Sequence, residues 1–313
     1  MERVTHERPR ARRGRLSGPC AVPVALLTAL ALLTPRALRT PRAALAPLTG
    51  FAPLAALAAL LSVAPACGAT QPGAQSGEQQ SVAEYDLARD AFQNGRLREA
   101  LDHVEKALEL DDDNADAAYL GAVVLLGFCA GDARSSDCRF DEAEKMTRRA
   151  LDANPDMRDA KNTLGVVLVH QKRYDEAITV LRPLAEDILY GSPEKSWGNL
   201  GWAYLLKGSN DLAIDALRRA VAAQPLFCVG QYRLGLAYEQ RGELGLAREA
   251  FTKAVETDQP ECQRLQDAFD ARARVSGKQG LADEARADLT KCRDIAATTP
   301  VGQRCAAQLG TPP

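Results

Sequence analysis

Aromatic side chains are scarce in this sequence, 5% of 313 residues, and histidine, methionine and tryptophan number only three, three and two. A core with few aromatics has to be packed from aliphatic and small residues, and alanine and leucine abound. These are the least costly apolar residues in a helix, so the balance points to closely packed helices and away from a sheet. The motifs of catalysis are missing too. There is no H-E-x-x-H, C-x-x-C or G-x-S-x-G, and no glycine loop for phosphate. His6, His103 and His170 fall in separate segments, and the run Asp111 to Asp113 sits where a helix should end. Nothing here gathers the charged groups that catalysis or a metal would need, so no enzyme activity, cofactor, metal or small-molecule substrate is expected.

Charge is distributed unevenly. Of 39 basic and 41 acidic side chains, nine arginines and two glutamates lie in residues 1–66, so 30 basic face 39 acidic groups in the rest. A body of that sign repels phosphate backbones and anionic headgroups, which argues against nucleic acid as a partner.

Residues 20–34 and 43–66 are two Ala/Leu-rich runs separated by PRALRTPR. The first is too short to span a bilayer. The second follows Arg36, Arg39 and Arg42 and ends in small residues, the layout of a secretory signal, so residues 1–66 are expected to be a leader. A leader of that length suggests a translation start downstream of Met1. Cys67 follows Ala64-Pro65-Ala66 and precedes Gly68, which resembles the lipobox of bacterial lipoproteins; this makes Cys67 the candidate for lipidation. Ala64-Pro65-Ala66 also reads as a plain cleavage site that would release a soluble protein. Residues 67–80 continue as a Gly/Gln/Ser tether, with a flexible reach of roughly 20 Å.

From 81 to 309 the chain repeats itself. In the clearest unit, Trp197, Leu200, Gly201, Tyr204, Ala213, Leu217, Ala220 and Pro225 stand in order, and Leu234, Gly235, Tyr238, Ala247, Phe251 and Ala254 follow 34 residues later. This resembles the tetratricopeptide repeat. Further units begin at Leu87, at Leu120 with about ten extra residues between its helices, at Leu164, and in degenerate form near Cys262, followed by a short tail helix. The resemblance implies an all-α, right-handed tetratricopeptide-repeat solenoid of about six helical hairpins, whose first helices line a concave groove. A large residue beside a small one lets the paired helices approach closely, and each hairpin then needs its neighbour to cover its exposed apolar face.

Six cysteines lie beyond Cys67: Cys129, Cys138, Cys228, Cys262, Cys292 and Cys305. An even number in an exported chain favours disulfides. Cys129 and Cys138 share one insertion, and a bridge there would contribute about 2.5 to 3 kcal/mol by chain entropy. The last four allow three connectivities. Of these, Cys228 with Cys262 and Cys292 with Cys305 are weakly favoured over the rest, and buried free thiols remain the alternative.

The lipobox, the tether, the tandem units, the segments WGNLGWAYLLKG and FCVGQYRLGLAYEQRG and the cysteine-containing C-terminal region together resemble the tetratricopeptide outer-membrane lipoproteins that pilot type IV pilus secretins. The resemblance implies a lipid anchor at the periplasmic face of the outer membrane and a secretin subunit as protein partner. Scaffolding of another envelope machine is the competing reading. In this repeat class positions 2, 5, 9, 12 and 13 of each first helix face the groove. Here they include Tyr85, Phe92, Leu125, Leu126, Val166, Val169, Trp202, Leu205, Leu206, Tyr232 and Leu236, with Trp202 expected near the centre of the contact and Trp197 in the core between helices. His170 reads as a solvated or groove-facing side chain. The paired lysines and asparagines with which chaperone-binding repeats clamp a C-terminal carboxylate are absent, so that ligand is not expected.

Overall fold

The alternation of small and large apolar residues folds as helices wherever the chain is described. The computed structural model describes residues 76–129 and 137–310, and every regular element among them is an α-helix. The leader, Cys67 and most of its tether lie outside the described residues.

Six hairpins follow one another. They are α1 (Gly77–Gln93) with α2 (Leu97–Leu110), α3 (Ala115–Cys129) with α4 (Phe140–Ala153), and α5 (Arg158–His170) with α6 (Tyr174–Ala185). Then come α7 (Pro193–Lys207) with α8 (Asn210–Ala223), α9 (Cys228–Gln240) with α10 (Leu244–Glu256), and, after the short α11 (Pro260–Gln263), α12 (Gln266–Lys278) with α13 (Ala282–Ile295). The tail helix α14 (Pro300–Gly310) packs on α13 and α12.

Five of the hairpins turn alike. The amide of the residue before the second helix reaches back to the first, as in Arg96 N to Ala91 O at 2.9 Å, Arg173 N to Leu168 O at 2.8 Å and Ser209 N to Tyr204 O at 2.9 Å, with Glu243 and Leu281 doing the same. The motif requires a left-handed residue at the turn. Glycine supplies it at four hairpins, and Lys172, with φ 63°, at the fifth.

The two helices of a hairpin cross where a glycine meets a large side chain. A Cβ on Gly201 would lie 2.5 Å from Leu217 Cγ, one on Gly165 2.4 Å from Leu181, and one on Gly235 2.5 Å from Phe251. Ala177, Ala213, Ala220, Ala247 and Ala254 are fully buried along the same contacts. First helices of successive hairpins touch each other, α5 with α7 and α7 with α9, whereas successive second helices make no comparable contact. That asymmetry puts the first helices on the inner, concave side.

The sixth hairpin departs from the pattern. Arg272 forks onto both carboxylate oxygens of Asp288 at 2.8 Å, and Gln266 Nε2 donates to the carbonyls of Cys292 and Ala296. These polar links stand beside the small and large apolar pair Ala273 and Leu289. The repeat spacing weakens here because α12 starts 38 residues after α9, with α11 between them. Three disulfides are present among the described residues: Cys129–Cys138 across the insertion, Cys228–Cys262 from the start of α9 to α11, and Cys292–Cys305 from α13 to α14.

Two outcomes are expected from this packing. Gly201→Ala should lower stability by about 1 to 3 kcal/mol through overpacking against Leu217. Gly245→Ala, where nothing lies within 4 Å of the added carbon, should be neutral or stabilising by up to about 1 kcal/mol. Urea unfolding would compare them, and equal effects would contradict the account. Removing Cys228–Cys262, which closes 34 residues, should cost about 4 kcal/mol against about 2.5 for Cys129–Cys138, read from paired Cys→Ala variants under oxidising conditions.

Candidate functional site

The concave face is built from the first helices, and its residues sort by position in the repeat. Positions nine and thirteen line it: Val166, Trp202 and Leu236 are half-buried, Leu126 likewise, and Leu206 is exposed. Position twelve does not line it. Leu125, Val169 and Leu205 are only 1%, 1% and 2% exposed, so they cannot serve as partner contacts, and their place in the sequence-derived groove is corrected. The reason is geometric. Position twelve turns into the seam between hairpins and is covered by its neighbours. Phe92, at the same position of the first hairpin, packs against the N-terminal core cluster, as does Tyr85 at position five. Tyr232 lies between two core clusters, tilted against Phe251, and burial pushes its hydroxyl up to about 12. At the fifth hairpin position twelve is Glu239, gripped by Arg274 at 2.7 Å and by Lys278 at 2.7 Å from α12. An ionic seam replaces an apolar one there.

Trp202 stands at the centre of a stack that reaches across four helices. The imidazole of His170, the last residue of α5, lies parallel to Phe140, the first residue of α4, with ring centres 4.6 Å apart. His170 meets the Trp202 ring edge-on at 5.0 Å, and on the other side the Arg233 guanidinium of α9 lies 4.4 Å from the centre of that ring. The repeat positions put Trp202 here and allow His170 a groove-facing role, but they do not point to Phe140 or Arg233. Phe140 is hidden because it opens a second helix. Arg233 leaves one signal, a charge placed 34 residues after Asn199 at the same position of the repeat.

Arg233 belongs to a polar row at position six. Its Nη1 donates to Gly198 O at 3.1 Å and to Asn199 Oδ1 at 2.9 Å, and Asn199 Nδ2 donates to Asn162 Oδ1 at 3.0 Å. Desolvation lowers the Arg233 guanidinium to about 10, so it remains a cation at neutral pH. His170 is held below the usual imidazole value, first by desolvation against its neighbours and second by the Arg233 charge. Trp197, by contrast, packs half-buried against the central core under Arg219, 4.9 Å away. Among the described residues no three His, Cys, Asp or Glu side chains are placed to hold a metal ion, and no helix is long and apolar enough to cross a membrane.

Stacked helical hairpins with a groove of this kind define a repeat scaffold for protein interaction. Family profiles described as tetratricopeptide repeat match residues 85–127 and 130–188, and again 194–225 and 230–260, and the chain belongs to the tetratricopeptide-repeat proteins. It is related to proteins of type IV pilus biogenesis. Over 126 residues it is 33% identical to the type IV pilus assembly protein PilF of Pseudomonas aeruginosa, a match spanning 37% of this chain and 46%, about half, of that protein. The crystal structure of PilW, described as a widely conserved type IV pilus biogenesis factor, superposes with a TM-score of 0.60 at 22% identity, covering 73% of this chain and 99% of that one. The structure of P. aeruginosa PilF gives 0.57 at 20% identity over 74% and 99%. At these identities the two likenesses show the shared solenoid.

The stack has a pH signature. His170 should titrate below the free imidazole value of about 6.5, and Arg233→Gln should raise its pKa by removing the neighbouring charge. Because the unfolded chain takes up this proton first, the contribution of His170 to stability falls as pH drops below about 6.5. Ring-proton shifts followed by NMR would check both, and an unshifted His170 would contradict the stacked environment.

Proposed function

We propose that this protein is a lipid-anchored scaffold at the periplasmic face of the outer membrane that binds the type IV pilus secretin subunit in its concave groove and promotes secretin assembly. The observation that carries the reading is the groove centre at Trp202 on a repeat scaffold related to PilF, a type IV pilus assembly protein. Three features support it. The fold is one of protein interaction, and the first helices present Trp202, Leu206 and Leu236 on the concave face. Tryptophan and arginine are among the residue types enriched at binding hot spots, and here the two lie side by side, both partly exposed. In the sequence, the apolar leader, Cys67 and the polar tether supply the elements of lipid attachment.

Cells lacking the gene should lose heat-stable secretin multimers from their membranes, and the wild-type gene should restore them. Trp202→Ala should weaken secretin co-purification by about 2 kcal/mol or more, some thirtyfold, while melting close to the wild type. Cys67→Ala should lose radiolabelled palmitate and mislocalise the multimers. Undiminished multimers in the deletion strain would sink the secretin reading. Palmitate that persists in Cys67→Ala would sink the anchor alone.

A further inference from the structure

The groove holds a cation with part of its donor capacity unused. Of the five N–H groups of the Arg233 guanidinium, those on Nη1 are fixed by Gly198 O and Asn199 Oδ1. Among the described residues Nη2 and Nε meet no acceptor, and no carboxylate forms an ion pair with the side chain. Several arginines elsewhere in the solenoid are answered by carboxylates, such as Arg158 by Asp187 at 2.6 Å, Arg173 by Glu144 at 2.7 Å, Arg272 by Asp288 at 2.8 Å and Arg274 by Glu239 at 2.7 Å. Partly desolvated charges are ordinarily paired, because water has been removed and something must replace it. The guanidinium plane is also held in place. Trp202 lies against it at 4.4 Å, and Asn199, itself tied to Asn162, fixes one edge. Arg233 is partly exposed on its first helix, and the other edge carries no protein partner among the described residues. Asn162 uses only its carbonyl in this row, which leaves its amide N–H groups for a ligand.

We infer that Arg233, with Asn199 and Asn162 behind it, is a recognition site for an aspartate or glutamate side chain on the bound segment, and that Trp202, His170 and Phe140 form the shelf for an apolar residue next to that acid. A carboxylate matches the geometry. Its two oxygens suit the parallel donors of a fork, and lysine in place of Arg233 would offer only a point charge. The aromatic shelf begins at the same tryptophan, so acid and apolar residue must be near neighbours in the partner. This inference rests on the reading of the concave face as a partner site and names the chemistry that face selects.

Peptides displayed on phage and selected on the full-length chain provide the test. Wild-type protein should recover sequences carrying Asp or Glu within about two residues of an aromatic or large aliphatic side chain. Changing that acid to its amide should weaken binding at least tenfold on wild-type protein. On Arg233→Gln the same change should have little effect, and Arg233→Lys should fall between. The peptide substitution needs no protein variant, so a poorly folded mutant cannot decide the result; melting curves of each variant complete the control. An acid-to-amide change that costs nothing on the wild type, or costs as much on Arg233→Gln, overturns the inference. Peptides lost on Trp202→Ala but indifferent to Arg233 overturn this site and leave the groove reading standing. Peptides indifferent to both residues, or no selected peptides at all, overturn both.

Discussion

Everything in this molecule depends on how closely two helices of a hairpin can cross. At Gly165, Gly201 and Gly235 no side chain of any size fits, because Leu181, Leu217 and Phe251 occupy the space at 2.4 to 2.5 Å from where a Cβ would lie. The pair at this crossing varies in a correlated way. The first hairpin has Ala88 and Val104 at the corresponding positions, both fully buried, so a methyl gained on one helix is matched by a smaller side chain on the other. Interiors are packed to crystal-like density, and only the sum of the two volumes is free to be shared out. With that distance set, each hairpin leaves an apolar face uncovered, and only a further hairpin at a small rotation can cover it. The concave surface follows from this geometry.

Position six of the first helix is under no such constraint. It takes no part in the crossing, and the row Asp86, Tyr119, Thr163, Asn199, Arg233 and Ala271 varies in size, charge and polarity from unit to unit. Residues released from packing are the ones that can differ between repeats, so the individuality of a solenoid concentrates there. The cluster of Asn162, Asn199 and Arg233 illustrates the point: it is polar, it costs desolvation, and the hydrogen bonds within it leave part of its donor capacity facing the groove.

Much of this is legible in the sequence because the packing constraint repeats every 34 residues and leaves a mark each time. Gly201, Ala213, Leu217 and Ala220 declare a hairpin by their spacing alone, and the tail helix and the insertion between Cys129 and Cys138 fall where the spacing puts them. Position twelve misleads, since Leu125, Val169 and Leu205 are apolar for the same reason as groove residues would be, yet they serve the seam. Hydrophobicity alone does not distinguish a surface kept for a partner from one covered by the next repeat. The pairing of Phe140 with His170 is out of reach for another reason. The two residues end helices, and their 4.6 Å stacking depends on how consecutive hairpins rotate, which no single repeat encodes.

The C-terminal end shows what happens when the repeat logic runs out. After the sixth hairpin comes the single helix α14 rather than another hairpin, and much of its docking on α12 and α13 is polar. Asp288 is buried by pairing with Arg272, Asp270 receives Arg304 and Gln308 from α14, and Glu239 holds Arg274 and Lys278 across the seam. Ion pairs of this sort recover little beyond their own desolvation, so they specify how α12, α13 and α14 dock more than they stabilise the docking. The covalent bonds lie in the same place. Cys292 and Cys305 are fully buried where α14 meets α13, and Cys228 and Cys262 are buried where the fifth hairpin passes to the sixth. Two of the three disulfides among the described residues thus stand in the C-terminal core cluster beside Ala254, Val255, Ala268 and Phe269, and a cross-link that removes entropy from the unfolded chain adds to the stability there.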